Sequence, residues 1–184
     1  MKPIERSEIV DWQTYEDGRA GSRPSAIAAK ARRRIQVGEH FTFLFENRET
    51  IRYQVQEMMR VEKIVREADI QHEIDTYNEL LFDDGRLGCS LLIGIDDPAQ
   101  RDVLLKDWLG LCEHIYALMP NGEKVRPEYD RRQVGEARLS SVQYLAFPFG
   151  GTAPDAIGVD HPKVHGLTKL TDEQRDALQA DLDA

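Results

Sequence analysis

The chain has 184 residues, 41% of them hydrophobic and 31% charged, which suits one soluble globular domain and excludes a largely disordered chain. A formal charge of −9 at pH 7 excludes general nucleic-acid binding, because neutralising phosphates needs a basic face. Two cysteines, Cys89 and Cys112, are too few for a disulfide framework; with no signal-like apolar start and no run of the roughly 20 apolar residues of a membrane span, a cytoplasmic protein is expected.

Residues 1–23 carry Ile4, Ile9, Val10, Trp12 and Tyr15 among charges. Ser7 followed by Glu8 predicts a short capped helix that pins Trp12 to the body. From Pro24, the run PSAIAAKARRR has the proline start and basic last turn of a second helix. Arg32, Arg33 and Arg34 read more simply as its solvated end than as an anion site. Residues 35–46 read as two short extended pieces around Gly38. In the second, the period of two places Phe41, Phe43 and Phe45 on a core face and Glu46 on the opposite face. Asn47 is the expected N-cap of the next helix, with Arg48, Glu49 and Thr50 as its first turn.

That helix is predicted over 48–66. At 100° per residue Ile51, Val55, Met58, Val61 and Val65 form one stripe, and Glu62 falls inside it. A carboxylate so placed must be paired or bound, since burying a lone charge is prohibitive. Arg66, at i+4, is the simplest partner. Glu57 projects off the stripe and is expected to be solvated. After a break near Glu67, a helix over 69–82 presents Ile70, Ile74, Tyr77 and Leu81, with Glu73 on their shoulder and His72 on the other flank. If Glu62 and Glu73 approach one another, they would form with His72 or Tyr77 an oxygen-rich site suited to iron or manganese. The Glu-x-x-His spacing of di-iron bundles is missing, and a structural hydrogen-bond network is the simpler reading.

Asp83-Asp84-Gly85 marks a turn, and residues 89–95 a buried strand. Asp97 and Pro98 open another helix, with Val103, Leu104, Trp108 and Leu111 as its apolar face. Residues 112–119 and 123–129 are the two strands of a hairpin across Asn121-Gly122. On the first, Cys112, His114 and Tyr116 would share a face; no further cysteine or histidine cluster completes a zinc set there, so a structural role is the simpler one. Residues 130–138 read as a charged loop. Residues 140–149 are the last predicted strand, with Val142, Tyr144, Ala146 and Pro148 on one face and Gln143, Leu145, Phe147 and Phe149 on the other. Residues 150–170, rich in Gly, Pro and Asp, read as a linker or arm. Thr171-x-x-Gln174 is a capping box opening a weakly docked terminal helix over 171–184.

The pattern predicts an α+β fold: a single domain over residues 1–149, with a mostly antiparallel sheet of four to six strands packed against helices. The runs FLFENRETIRYQVQEMMRVE, IQHEIDTYNELL, GCSLLIGI and SSVQYLAF, in this order, resemble an uncharacterised prokaryotic family, domain of unknown function 3501, over residues 15–149. The resemblance highlights Glu46, Asn47 and Arg48 at the strand–helix junction, Glu57 and Glu62 on the first helix of the pair, and His72, Glu73, Tyr77 and Asn78 on the second. It also implies a setting beside iron–sulfur and di-iron proteins. The expected function is therefore an accessory or binding protein of a bacterial redox or oxidative-stress system, with no complete catalytic constellation. The alternative is a metal-binding protein or metal-dependent enzyme using Glu62, His72 and Glu73.

Overall fold

The computed structural model describes residues 1–135 and 137–184. In chain order the elements are α1 (Trp12–Ala31), β1 (Arg34–Val37), β2 (Phe41–Phe45), α2 (Arg48–Glu62), α3 (Glu67–Asn78), β3 (Arg86–Ile93), α4 (Pro98–Asp107), β4 (Ile115–Leu118), β5 (Lys124–Val125), β6 (Val142–Pro148), β7 (Ala156–His161), β8 (Val164–Lys169) and α5 (Asp172–Leu182). The strands form two four-stranded antiparallel sheets, ordered β1-β2-β3-β6 and β5-β4-β7-β8, and the α+β expectation holds.

Alternation builds the first sheet. Phe41, Phe43 and Phe45 are fully buried, and they join Leu87, Cys89, Leu91, Leu145 and Phe147 from the neighbouring strands in one core. Ile115, Ala117, Ile157 and Val159 of the second sheet, Leu105 of α4 and Leu178 of α5 belong to the same core. At the corner where the sheets meet, the Thr168 hydroxyl donates to the Gln36 carbonyl at 2.7 Å.

A second, smaller core lies within the helical layer. Ile51, Val55 and Met59 of α2 pack with Ile70, Ile74 and Leu80, and Ile4 and Ile9 of the N-terminal segment close it. Gly88 lets this layer approach β3: a Cβ there would lie 2.1 Å from the Leu80 carbonyl oxygen.

Several expectations are corrected. The stretch 150–170 is not a linker, because β7 is an interior strand paired on both sides. Its Gly158, which reads as a loop signal, is a packing requirement: a Cβ would stand 2.5 Å from Cζ of the Tyr116 ring. The terminal helix is firmly docked, with Leu178 fully buried and Ala177 nearly so.

At the other end of the chain, α1 is one 20-residue helix running through Pro24. Pro24 and Ala20 are both exposed, so the carbonyl deprived of its donor faces solvent. α2 stops at Lys63, whose left-handed φ of 55° lets Ile64 donate back to the Met59 carbonyl and turn inward. Its buried stripe is therefore Ile51, Val55 and Met59, while Val61 and Val65 are 64% and 71% exposed. The expected strand over 112–119 starts late, since Leu111–His114 form a 3₁₀ turn. Gly122 turns the predicted hairpin with φ 85°, but its second strand is only two residues long.

Candidate functional site

A cavity of about 700 Å³ lies on the outer face of the first sheet, between the C-terminal end of α3, β6 and the segment 128–130. The alternation that buries Leu145 and Phe147 turns Tyr144 outward onto this face, where it remains 37% exposed. Tyr77 from α3 and Tyr129 add aromatic walls, and Leu80, Val142 and Ala146 an apolar floor. Glu79, Glu128 and Asp130 stand on the rim with Arg86, and Asp130 is paired with Arg132 at 2.6 Å just outside it. Arg86 is already engaged: it pairs with Asp84 at 2.7 Å and Glu128 at 2.9 Å, and its guanidinium sits 4.3 Å from the centre of the Phe82 ring.

β6 is an edge strand, and its hydrogen-bond directions follow from its neighbours. Ile93 donates to the Ser141 carbonyl, so the odd-numbered residues of β6 bond to β3. The even-numbered ones therefore point their backbone groups away from the sheet. Ala146 uses both of its groups on Glu128, at 2.8 Å each, and the Val142 N–H is met by the Ser140 hydroxyl at 3.2 Å. Among the described residues nothing meets the N–H and carbonyl of Tyr144. The segment at Glu128 thus begins a fifth strand and then leaves, at Asp130, which caps a 3₁₀ turn.

Behind the cleft lies a buried polar centre. Glu46, 4% exposed, accepts from the Thr50 hydroxyl at 2.6 Å and from the Ser90 hydroxyl at 2.7 Å. Lys30 donates to the Gln54 side chain at 3.1 Å, and burial lowers its pKa while the charge of Glu46 opposes that shift. Burial raises the pKa of Tyr77 against a hydrogen bond with Gln54, and burial with the charges of Glu46 and Glu73 raises that of Tyr144, so both phenols face the cleft protonated. Glu46 is fully satisfied by its hydroxyl partners and reads as a support for this face.

The other predicted residues are placed as follows. Asn47 caps α2, accepting from the Thr50 N–H at 3.0 Å, and donates to Asp181 at 3.0 Å. Arg48 and Asn78 anchor the N-terminal segment: Arg48 pairs with Glu8 at 2.7 Å, and Asn78 exchanges two hydrogen bonds with the backbone of Ile4. Glu62 is exposed, a correction to its expected burial, and Arg66 pairs instead with Asp69. Glu73 does sense Glu62: partial burial and then the charge of Glu62 raise its carboxyl pKa, while His72 is exposed. Among the described residues, no three His, Cys, Asp or Glu side chains are grouped to hold a metal ion.

Glu57, expected in solvent, instead ties α1 to α2, accepting from Arg19 and Tyr15. The face expected for Cys112, His114 and Tyr116 does not form. Cys112 sits in the 3₁₀ turn against Gln143, His114 faces Asp160 at 3.4 Å, and Tyr116 packs under Lys124. Of the cleft, the sequence reading had Tyr77 and the correct face for Tyr144. It missed Glu79, Arg86 and Tyr129, whose only sequence signal is their position beside turns.

No curated protein matches this chain. Among solved structures, a protein of unknown function from Burkholderia pseudomallei K96243 is similar at 28% identity with a TM-score of 0.89, over 99% of this chain and 100% of that one. The likeness therefore extends through β7, β8 and α5, beyond the stretch that carried the resemblance in the sequence. No helix among the described residues is long and apolar enough to cross a membrane. The family described as Protein of unknown function (DUF3501) matches residues 3–182, nearly the whole chain, and the chain belongs to that family.

Proposed function

We propose that this protein works by binding, as an accessory component of a bacterial redox or oxidative-stress system, and that the cleft beside β6 is where it takes its partner. The observation that supports this reading is the coincidence of a preformed aromatic cleft with an unpaired strand-edge position at Tyr144. Concave apolar sites with a few polar groups are the usual ligand sites, and an open edge is a template for another chain. Both thiols point the same way. Cys89 and Cys112 are buried, and burial pushes Cys89 well up and Cys112 to about 11, so neither is poised for thiol exchange. The redox setting comes from the context that the family resemblance implies, and it selects iron–sulfur and di-iron proteins as the first partners to test.

Isothermal titration of the protein with purified iron–sulfur and di-iron proteins tests the proposal. Association at micromolar concentration, abolished by Tyr144→Arg, is expected. No association with either class, or association that Tyr144→Arg leaves unchanged, would overturn it.

A further inference from the structure

The cleft's chemistry also specifies what part of a partner it takes. We infer that it binds an extended segment of a partner protein carrying arginine or lysine, which adds to β6 as the strand that the segment at Glu128 begins and abandons. This rests on the binding reading above and deepens it.

Three features converge on that occupant. The backbone of Tyr144 offers one donor and one acceptor outward, spaced two residues from the Ala146 groups that Glu128 occupies. An extended chain meets such groups at the same two-residue period, and strand addition is the general mode by which sheet edges take peptides. Next, the cleft onto which this edge opens is lined by aromatic side chains, Tyr77, Tyr129 and Tyr144, which give alternate side chains of an added strand a place to lie. Finally, the sign of the rim favours a cation. Glu128 shares Arg86 with Asp84, and Asp130 is paired with Arg132 at 2.6 Å, which leaves Glu79 as the lining carboxylate without an ion pair among the described residues. The protein already uses this recognition internally, where Arg86 lies over Phe82 while its ends engage Asp84 and Glu128. A guanidinium over an aromatic ring with a carboxylate at its edge is what a partner's arginine would find at Tyr77 and Tyr144 beside Glu79.

Fluorescence anisotropy with three labelled octapeptides tests this: one alternating valine with arginine and threonine, one with glutamate in place of arginine, and the arginine peptide N-methylated at alternate amides. The arginine peptide is expected to bind at least about tenfold more tightly than either of the others. Two variants separate the edge from the wall. Tyr144→Ala removes the ring; Tyr144→Pro removes the ring and also the outward N–H, while the ladder to β3 needs no donor at this position. Proline should therefore weaken binding by about a further three- to tenfold beyond alanine, the fold-change of one hydrogen bond. Glu79→Lys, on an exposed residue that carries no packing, should weaken the arginine peptide by about two- to fivefold at low salt and leave the glutamate peptide unaffected or improved. Near-ultraviolet circular dichroism confirms that each variant is folded. Equal binding of the arginine and glutamate peptides, or equal affinity of the alanine and proline variants, would overturn the inference. If a redox partner binds and is lost with Tyr144→Arg while the peptides show no such pattern, the strand inference fails and the accessory reading stands. If the peptides behave as expected and no redox protein binds, the inference stands and the redox assignment fails.

Discussion

Arg33 and Asp181 meet across 148 residues of sequence: Nε donates to Oδ2 at 2.6 Å and Nη2 donates to Oδ1 at 2.8 Å, with both side chains nearly inaccessible to solvent. The third guanidinium nitrogen of Arg33, Nη1, donates to the Ala29 carbonyl, and Asp181 also accepts from Asn47. One carboxylate thus ties the end of α1, the N-cap of α2 and the terminal helix together. Arg33, read from the sequence as part of a solvated helix end, is 6% exposed.

Breaking that pair from either side leaves an uncompensated buried charge. Asp181→Ala or Arg33→Ala is expected to cost about 3–5 kcal/mol, whereas Arg33→Met combined with Asp181→Leu should recover much of the loss. Urea denaturation of the single and double variants measures both. A double variant as unstable as the sum of the singles would mean that the charges do not act as a unit.

Glu57 makes stability depend on acid. Hydrogen bonds from Arg19, at 2.6 and 2.9 Å, and from Tyr15, at 2.7 Å, with the charge of Arg60, hold its carboxyl at about 2 against partial burial, which pushes it up. The unfolded chain takes up the proton first, near the ordinary glutamate value of about 4.3. The contribution is therefore fully present above about pH 4.5 and is lost as pH falls through about 2. Glu57→Gln should cost about 1–3 kcal/mol at pH 7 and much less at pH 2, measured by urea melts at both. An equal loss at both would assign the effect to packing alone.

The two thiols are expected to be silent in the native state. A thiol-reactive aromatic disulfide should label Cys89 and Cys112 only on unfolding, with native rates slower by more than about tenfold. Rapid labelling of either in the folded protein would return thiol chemistry to consideration.

Much of the sheet was legible because its signals are local. Phe41, Phe43 and Phe45 alternate, Asn47 caps, Asn121-Gly122 turns, and each does in the fold what its own chemistry dictates. Errors arose where a distant contact sets the conformation. Gly158 counts as a loop residue until the ring of Tyr116 is seen to fill the space where its Cβ would be. Lys63 carries no helix-stop signal, since lysine pays a cost in the left-handed region. The stripe extrapolated past it put Val65 in the core, and it counted Val61 and Glu62 too, which lie in the last turn before the stop and are exposed.

The candidate site was legible only in part, for a reason of topology. The side on which Tyr144 lies follows from alternation, but β6 becomes an edge strand only because β7 and β8 join the second sheet. A reading that ended the strands at residue 149 could not distinguish an edge from an interior position. Glu79 and Tyr129 are likewise brought to Tyr144 by the return of β6 alongside β3, a pairing that spans about 55 residues between Cys89 and Leu145.

Backbone hydrogen exchange at a single residue tests the central claim most directly. Leu145 lies in the ladder opposite Cys89, whereas the Tyr144 amide points out of the sheet. In the free protein, Tyr144 should exchange at least about tenfold faster than Leu145, and saturating arginine peptide should slow Tyr144 while leaving Leu145 unchanged. A Tyr144 amide already as protected as that of Leu145, or one that bound peptide leaves unaltered, would contradict an open edge that takes a partner strand.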